Sequence, residues 1–291
     1  MAKKTAVIPV AGYGTRFFPA SRVIPKALLP IFDTPGIQFV VEEAVNSGIQ
    51  QLIFVISSDQ DLVRQYFSGV NKVDEILKQK GMVEKVEIFS NSFKNLEIKY
   101  VYQEEQNGLG DAILQTKNII NEDFFTVMLP DDIVFNRSPF LKDMINSFEE
   151  CKGCYVALKK VADEMVPNLG IVDAKKIKSN LYSINRLVEK PSLEEAPSNL
   201  SIMGRYILPY EIFHHLENIQ FGANGEKQLT DALNLILSDF QVFGFGFSGE
   251  HFDIGTPQGL LDASNYYLLN HWLVCVRFFS QFSVAIVYSS N

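Results

Sequence analysis

The sequence predicts an α/β protein, a mixed and mostly parallel sheet flanked by helices. Three observations carry that prediction. Short, near-continuous apolar runs alternate with amphipathic stretches of helical spacing, the pattern of strands buried on both faces beneath covering helices. The 291 residues are 47% hydrophobic and 21% charged, enough material for a sizeable core. Neither an internal repeat nor a low-complexity linker breaks the pattern. One domain over residues 1–270, followed by an apolar tail at 271–291, fits better than two independent units.

The elements follow in order. TAVIPV reads as the first strand. GIQFVVEEAVNSG reads as a helix, with Ile37, Val40, Val41 and Ala44 on one face and Gly48 as its stop signal. QLIFVISS is a second buried strand and SDQDLVRQYF a helix; residues 70–95 are polar and carry no element. IKYVYQ is a strand, GDAILQTKNII a helix, FFTVML a strand, SPFLKDMINSFEEC a helix and CYVALKKV a strand. Beyond residue 160, LGIVDA, YSINRLVEKP and SIMGRYIL read as strands joined by turns. QLTDALNLILSD is a helix, and QVFGFGFSG a strand ending in glycine.

Composition excludes some functions. The formal charge is -8, from 34 acidic and 26 basic residues, which argues against general nucleic-acid binding because that rests on phosphate neutralisation. A local phosphate site is still allowed. Cys151 and Cys154 form a Cys-x-x-Cys, but no second pair and no nearby His completes a zinc set. The N-terminal residues lack a secretory h-region, and the apolar tail is interrupted by Arg277 and Gln281. The expectation is a cytoplasmic protein with no membrane span and a tail that makes a subunit contact.

In open α/β sheets ligands bind beyond the carboxyl ends of strands, and the unusual residues fall there. AGYGTR after the first strand carries Ala11, Gly12 and Gly14, with Arg16 and Lys26 beyond. Glycines let backbone N–H groups approach an anion. The spacing fits neither a P-loop nor a dinucleotide fingerprint, so a plain tight turn is the competing reading. Gln103, followed by Gly108, offers a side-chain amide that both donates and accepts, suited to a pyrimidine edge. Asp131 and Asp253 are strand-end carboxylates, a fitting pair for Mg2+, which takes one or two carboxylates and leaves the rest of its shell to phosphates. Glu189 and Lys190 put an acid and a cation at another strand end; a surface ion pair is the alternative.

In this order the pieces resemble the bacterial UTP–glucose-1-phosphate uridylyltransferases (UDP-glucose pyrophosphorylases), from residue 5 to about residue 268. IPVAGYGTRFFPASRVIPKALLP looks like that family's nucleotide-binding signature. GLGDAI, LPDDI, LGIVD, VEKP, APSNLSIMGRYIL and GEKQLTDAL follow in its order. The resemblance implies a Rossmann-like nucleotidyltransferase fold, Mg2+ as cofactor, UTP and glucose 1-phosphate as substrates, and a homodimer or homotetramer. It implies that Ala11, Gly12 and Gly14 hold the nucleotide, Arg16 neutralises the triphosphate and Lys26 faces the α-phosphate. Gln103 and Gly108 would read uracil, and Asp131 and Asp253 would bind the metal. Gly170, Glu189 and Lys190 would take the sugar phosphate.

The chain also departs from that pattern. Ala27 and Leu28 stand where the family has Glu and Met, Arg22 stands for a Lys, and Asp33-Thr34-Pro35 for Asp-Lys-Pro. Leu169 replaces a Tyr and Asp111 a His. Ala27 and Asp111 bear on rate and nucleotide preference. The rival readings are a related enzyme using dTTP or another sugar phosphate, and a non-catalytic sugar-nucleotide-binding paralogue.

Overall fold

Strand β1 (Thr5–Pro9) turns its side chains to two cores, Ala6 and Ile8 to one and Val7 to the other. A strand buried on both faces belongs inside a covered sheet. The computed structural model describes residues 4–58, 61–69, 71–222 and 225–272. After β1 come short 3-10 turns and a small pairing of β2 (Pro30–Ile31) with β3 (Thr34–Pro35). Then follow α1 (Gly36–Asn46), β4 (Gln51–Ile56), α2 (Leu62–Phe67), α3 (Lys72–Gln79), α4 (Val83–Ser92), β5 (Glu97–Tyr102) and α5 (Leu109–Leu114). Next are β6 (Phe124–Met128), β7 (Asp132–Phe135), α6 (Phe140–Glu150), β8 (Cys154–Lys160), β9 (Gly170–Lys178), β10 (Leu181–Glu189) and β11 (Leu200–Pro209). The last are α7 (Ile212–Asn218), α8 (Leu229–Ile236), β12 (Val242–Gly246), β13 (Glu250–Asp253) and α9 (Pro257–Tyr267). A π-helical turn, Leu268–Trp272, continues from α9.

Nine strands form one sheet in the order β5-β4-β1-β6-β11-β8-β12-β10-β9. The first four run parallel, and so do β8 and β12; β11 and β10 run against their neighbours. The sheet is therefore mixed and mostly parallel. α1 and α6 cover one face, and α5, α7 and α8 the other. A single pairing of Ser201 with Ile171 brings β9 back to β11, so the second half of the sheet curls on itself.

Two differences from the sequence reading have physical causes. Residues 70–95 hold α3 and α4. Asn71 caps α3 by accepting from Val73 N and Asp74 N, while the Asp74 side chain takes Asn71 N–H in return. This capping box stands in for an apolar stripe, because α3 buries no side chain and α4 buries Val86 alone. The second difference is a separate two-stranded sheet of β7 and β13. α9 covers it: Tyr266 packs on Phe135 and Phe252. Thr256 caps α9 through Gly259 N, with Pro257 opening the helix.

Among the described residues no helix is long and apolar enough to cross a membrane. The expected subunit contact belongs to the tail at 271–291, which from residue 273 onward lies outside the described residues. Cys154 is fully buried in β8, and burial pushes its thiol up, so it is inert.

Candidate active site

Where β1 ends, the chain turns over the carboxyl edge of the parallel strands. Gly14 takes φ +62°, a left-handed value that costs other residues about 1–2 kcal/mol. A Cβ there would lie 3.0 Å from Lys26 Cβ, so the glycine lets the Lys26 stem rest on the turn. Lys26 Nζ reaches Asp131 Oδ2 at 2.5 Å. Gly12 is exposed with open space around it, and Ala11 is buried beside it.

Asp131 follows β6, and pairing between β7 and β13 brings Asp253 to it. Asp253 lies opposite Asp132 in that small antiparallel sheet, and Ile254 N donates to Asp131 O at 2.8 Å. A Cβ on Gly255 would sit 2.8 Å from both Asp131 Oδ2 and Asp253 Oδ1. Burial first, then the Asp131 charge, raises the Asp253 carboxyl above its ordinary range, while Gly255 N–H and Arg16 pull it back. Two such oxygens suit a hard cation that completes its shell with phosphate and water. Among the described residues no cluster of three or more His, Cys, Asp or Glu forms a fuller metal cage. Although Asp131 Oδ2 already pairs with Lys26 Nζ, the notch at Gly255 would suit Mg2+. A methyl would fill it, so Gly255→Ala is expected to weaken Mg2+ binding at least about tenfold, read as lost Mg2+ protection in thermal unfolding.

Asp132, the second acid of the pair, is committed elsewhere. Its Oδ1 pairs with His251 Nε2, its Oδ2 accepts from Gly204 N at 3.0 Å and its carbonyl from Arg205 Nη2 at 2.8 Å. Burial alone would raise this carboxyl. The hydrogen bond and charge of His251, with Arg205 and Gly204 N–H behind them, hold it below its ordinary range. Lys159 Nζ stands 3.3 Å from His251 Nδ1.

A cleft of about 580 Å³ is lined by Arg16, Asp131 and Asp253 on the nucleotide side of the sequence motifs, and by Gly170, Glu189 and Thr230 from the second half. Thr230 Oγ1 donates to Glu189 Oε2 at 2.7 Å. Gly170 leaves room for that carboxylate, since a Cβ would lie 3.2 Å from Glu189 Oε2. Lys190 is not among the lining residues. Its side chain is half exposed, 3.8 Å from Glu189 Oε1, on a backbone at φ +46°. Left-handed φ on a lysine is uncommon, and such strain gathers at functional sites. The expectation that one sheet edge gathers all these residues holds for Gln103 and Asp131, after parallel β5 and β6. Asp253 comes from the small sheet, and Glu189 ends the antiparallel strand β10 and is returned by the curl at Ser201–Ile171.

Gln103 is buried at the end of β5, and its Nε2 donates to Gly108 O at 3.3 Å and Asp111 Oδ2 at 2.7 Å. Gly108, at φ +96°, has no room for a Cβ, which would lie 2.8 Å from Glu226 Cβ and 2.9 Å from Lys227 O. Lys227 N donates to Asn107 O and Gly110 N to Lys227 O, so GEKQLTD locks against NGLG. Leu109 and Gln228, neighbours of that junction, line the cleft. The departure at Ala27 has a packing use: its side chain lies in the core with Ile31 and Ile37.

The sequence reading did not assign roles to Lys159, Lys160, Thr230, Asp132 or His251. Lys159 and Lys160 end β8, so the strand-end rule already pointed at them. Thr230 lies in the motif QLTDA. His251 had no such signal, because the partner that gives it meaning is 119 residues away.

A nucleotidyl transferase family model matches residues 5–270. The UTP–glucose-1-phosphate uridylyltransferase 1 of Staphylococcus saprophyticus is 38% identical over 269 residues, 92% of this chain and 94% of its own. The UTP–glucose-1-phosphate uridylyltransferase of Staphylococcus haemolyticus is 39% identical over 91% of this chain and 92% of its own. Among solved structures, a UDP-glucose pyrophosphorylase complexed with UDP-glucose superimposes with a TM-score of 0.85 at 34% identity, covering 93% of this chain and all of its own. A UTP-bound relative from Acinetobacter baumannii gives 0.85 at 35% identity, over 97% and 99%.

Proposed function

The chain belongs to the nucleotidyl transferase family, and from that membership we propose that it is a UTP–glucose-1-phosphate uridylyltransferase, making UDP-glucose and pyrophosphate. The observation that carries the reading is one cleft in which Asp131, Asp253 and Arg16 meet Gly170, Glu189 and Thr230. That arrangement offers a cation and triphosphate site beside a place for a sugar phosphate.

The chemistry is in-line phosphoryl-group transfer. A phosphate oxygen of glucose 1-phosphate attacks the α-phosphorus of UTP, forming a new P–O bond. The bridging bond to the β-phosphate breaks, and its electron pair leaves with pyrophosphate. The attacking oxygen is already anionic, so no general base is needed. The obstacle is the approach of two polyanions. Arg16 and Lys26 neutralise the triphosphate, and Lys190 neutralises the sugar phosphate. Asp131 and Asp253 would hold Mg2+, which when bound would supply further charge neutralisation on phosphate oxygens. Backbone at Ala11, Gly12 and Gly14 approaches the nucleotide, Gln103 and Gly108 read the uracil, and Glu189, fixed by Thr230, accepts from sugar hydroxyls. Lys159, held by His251, and Lys160 add cations to the cleft wall beside Arg16. Positioning does much of the rest.

Residues 1–270 would be the catalytic unit, in the cytoplasm, assembled as a homodimer or homotetramer. Pyrophosphate release from UTP, glucose 1-phosphate and Mg2+ tests the reading, with dTTP and other sugar phosphates in parallel. Release that depends on UTP and stops on chelation is expected. No release with that pair, or faster release with another, overturns it.

A further inference from the structure

The Gln103 amide is held in one orientation, and the residue that holds it is one this chain does not share with the family pattern. An ionised carboxylate can only accept, so Asp111 Oδ2 at 2.7 Å demands the NH2 end of the amide. Gly108 O, also an acceptor, takes the same nitrogen at 3.3 Å. Flipping the amide would set Oε1 against the carboxylate. Asp111 is itself steadied by Gln115 Nε2, 3.2 Å from its Oδ1. Gln103 Oε1 has no partner among the described residues, yet it is not among the sealed-off polar atoms. A side chain only 4% exposed thus turns one acceptor outward, beside a corner whose neighbours Leu109 and Gln228 line the cleft.

We propose that Asp111 determines base specificity by fixing Gln103 with its oxygen toward the nucleotide, so that the site selects a base with a ring N–H over one with a bare ring nitrogen. This rests on the reading that UTP is the nucleotide. Uracil presents N3–H to that oxygen. Cytosine presents an unprotonated N3 in the same register, acceptor against acceptor, and a site whose buried polar group is left unpaired rejects the wrong ligand. Thymine shares the uracil edge, so the device separates UTP and dTTP from CTP.

The test compares kcat/KM for UTP and CTP, with glucose 1-phosphate and Mg2+, in the wild type, Asp111→Leu and Asp111→Asn. Leu keeps the bulk and removes the acceptor. Asn can still turn its amide oxygen to Gln103. The UTP-to-CTP ratio is expected to fall about tenfold in Asp111→Leu, through a raised KM for UTP, and to fall less in Asp111→Asn. Thermal unfolding reports whether each variant is folded, and Asp111→Asn carries the test if the Leu variant is not. An unchanged ratio in the folded variants overturns the proposal, as does an equal loss for both nucleotides, which a merely structural role would give. A wild type that uses no UTP overturns the underlying reading, and the proposal with it.

Discussion

Arg205→Ala is expected to cost about 3–5 kcal/mol of stability, read as a lower urea midpoint. Arg205 is 0% exposed and sits in β11 beneath the cleft. Its Nε and Nη2 donate to Glu43 Oε2 at 3.1 and 2.7 Å. Its Nη1 donates to Leu129 O and Gly204 O at 3.1 and 2.9 Å, and its Nη2 also to Asp132 O at 2.8 Å. Truncation leaves an unpaired, nearly buried carboxylate on α1 and three carbonyls without this donor. Glu43 Oε1 still accepts from Leu141 N, so it cannot swing out to water without giving up the start of α6. The guanidinium also bridges the carbonyls that flank Pro130 and Asp131, so the loop that carries Asp131 loses its brace. Replacing the pair together, Glu43→Leu with Arg205→Met, is expected to cost less than Arg205→Ala alone, because no orphaned charge remains. A loss below about 1 kcal/mol for Arg205→Ala would show that the strut carries little.

What could be read from the sequence follows the range of the forces involved. β1, β4 and β6 are buried on both faces, so they appear as apolar runs that need no partner to be recognised. α3 has no buried face and is held by Asn71 and Asp74, a local signal too short to stand out from polar sequence. The strand ends pointed to Asp131 and Gln103 because parallel strands deliver their carboxyl ends together. They could not show how Asp253 arrives, since that depends on the Asp253–Asp132 register of a separate sheet. Nor could they show that Asp132 is tied to His251 and Gly204 while Asp131 faces Lys26, since the two are adjacent and chemically alike. Ala27 looked like a loss at the nucleotide site. It also packs in the core with Ile31 and Ile37, a use its spacing in the motif does not show.

Asp253→Asn is expected to lower turnover by about a hundred- to a thousandfold while leaving the fold intact. Asn keeps the shape and can still accept from Gly255 N, as Asp253 Oδ1 does at 2.8 Å. What goes is one of the two charges that face each other across Gly255, and with it the balance against incoming phosphates. A second readout separates that loss from general damage. Without metal, the raised carboxyl keeps its proton in the folded state at pH values just above the ordinary 3.8, where the unfolded chain has lost it. Stability contributed by this residue therefore falls as pH rises through that window, and the fall is absent in Asp253→Asn. On the proposed metal site Mg2+ would act in the opposite sense, binding the ionised pair and stabilising the folded state by mass action. Thermal unfolding across pH, with and without Mg2+, should show Mg2+ protection growing with pH in the wild type and nearly vanishing in the variant. Equal protection of both proteins by Mg2+ would remove Asp253 from the metal site, whatever its turnover.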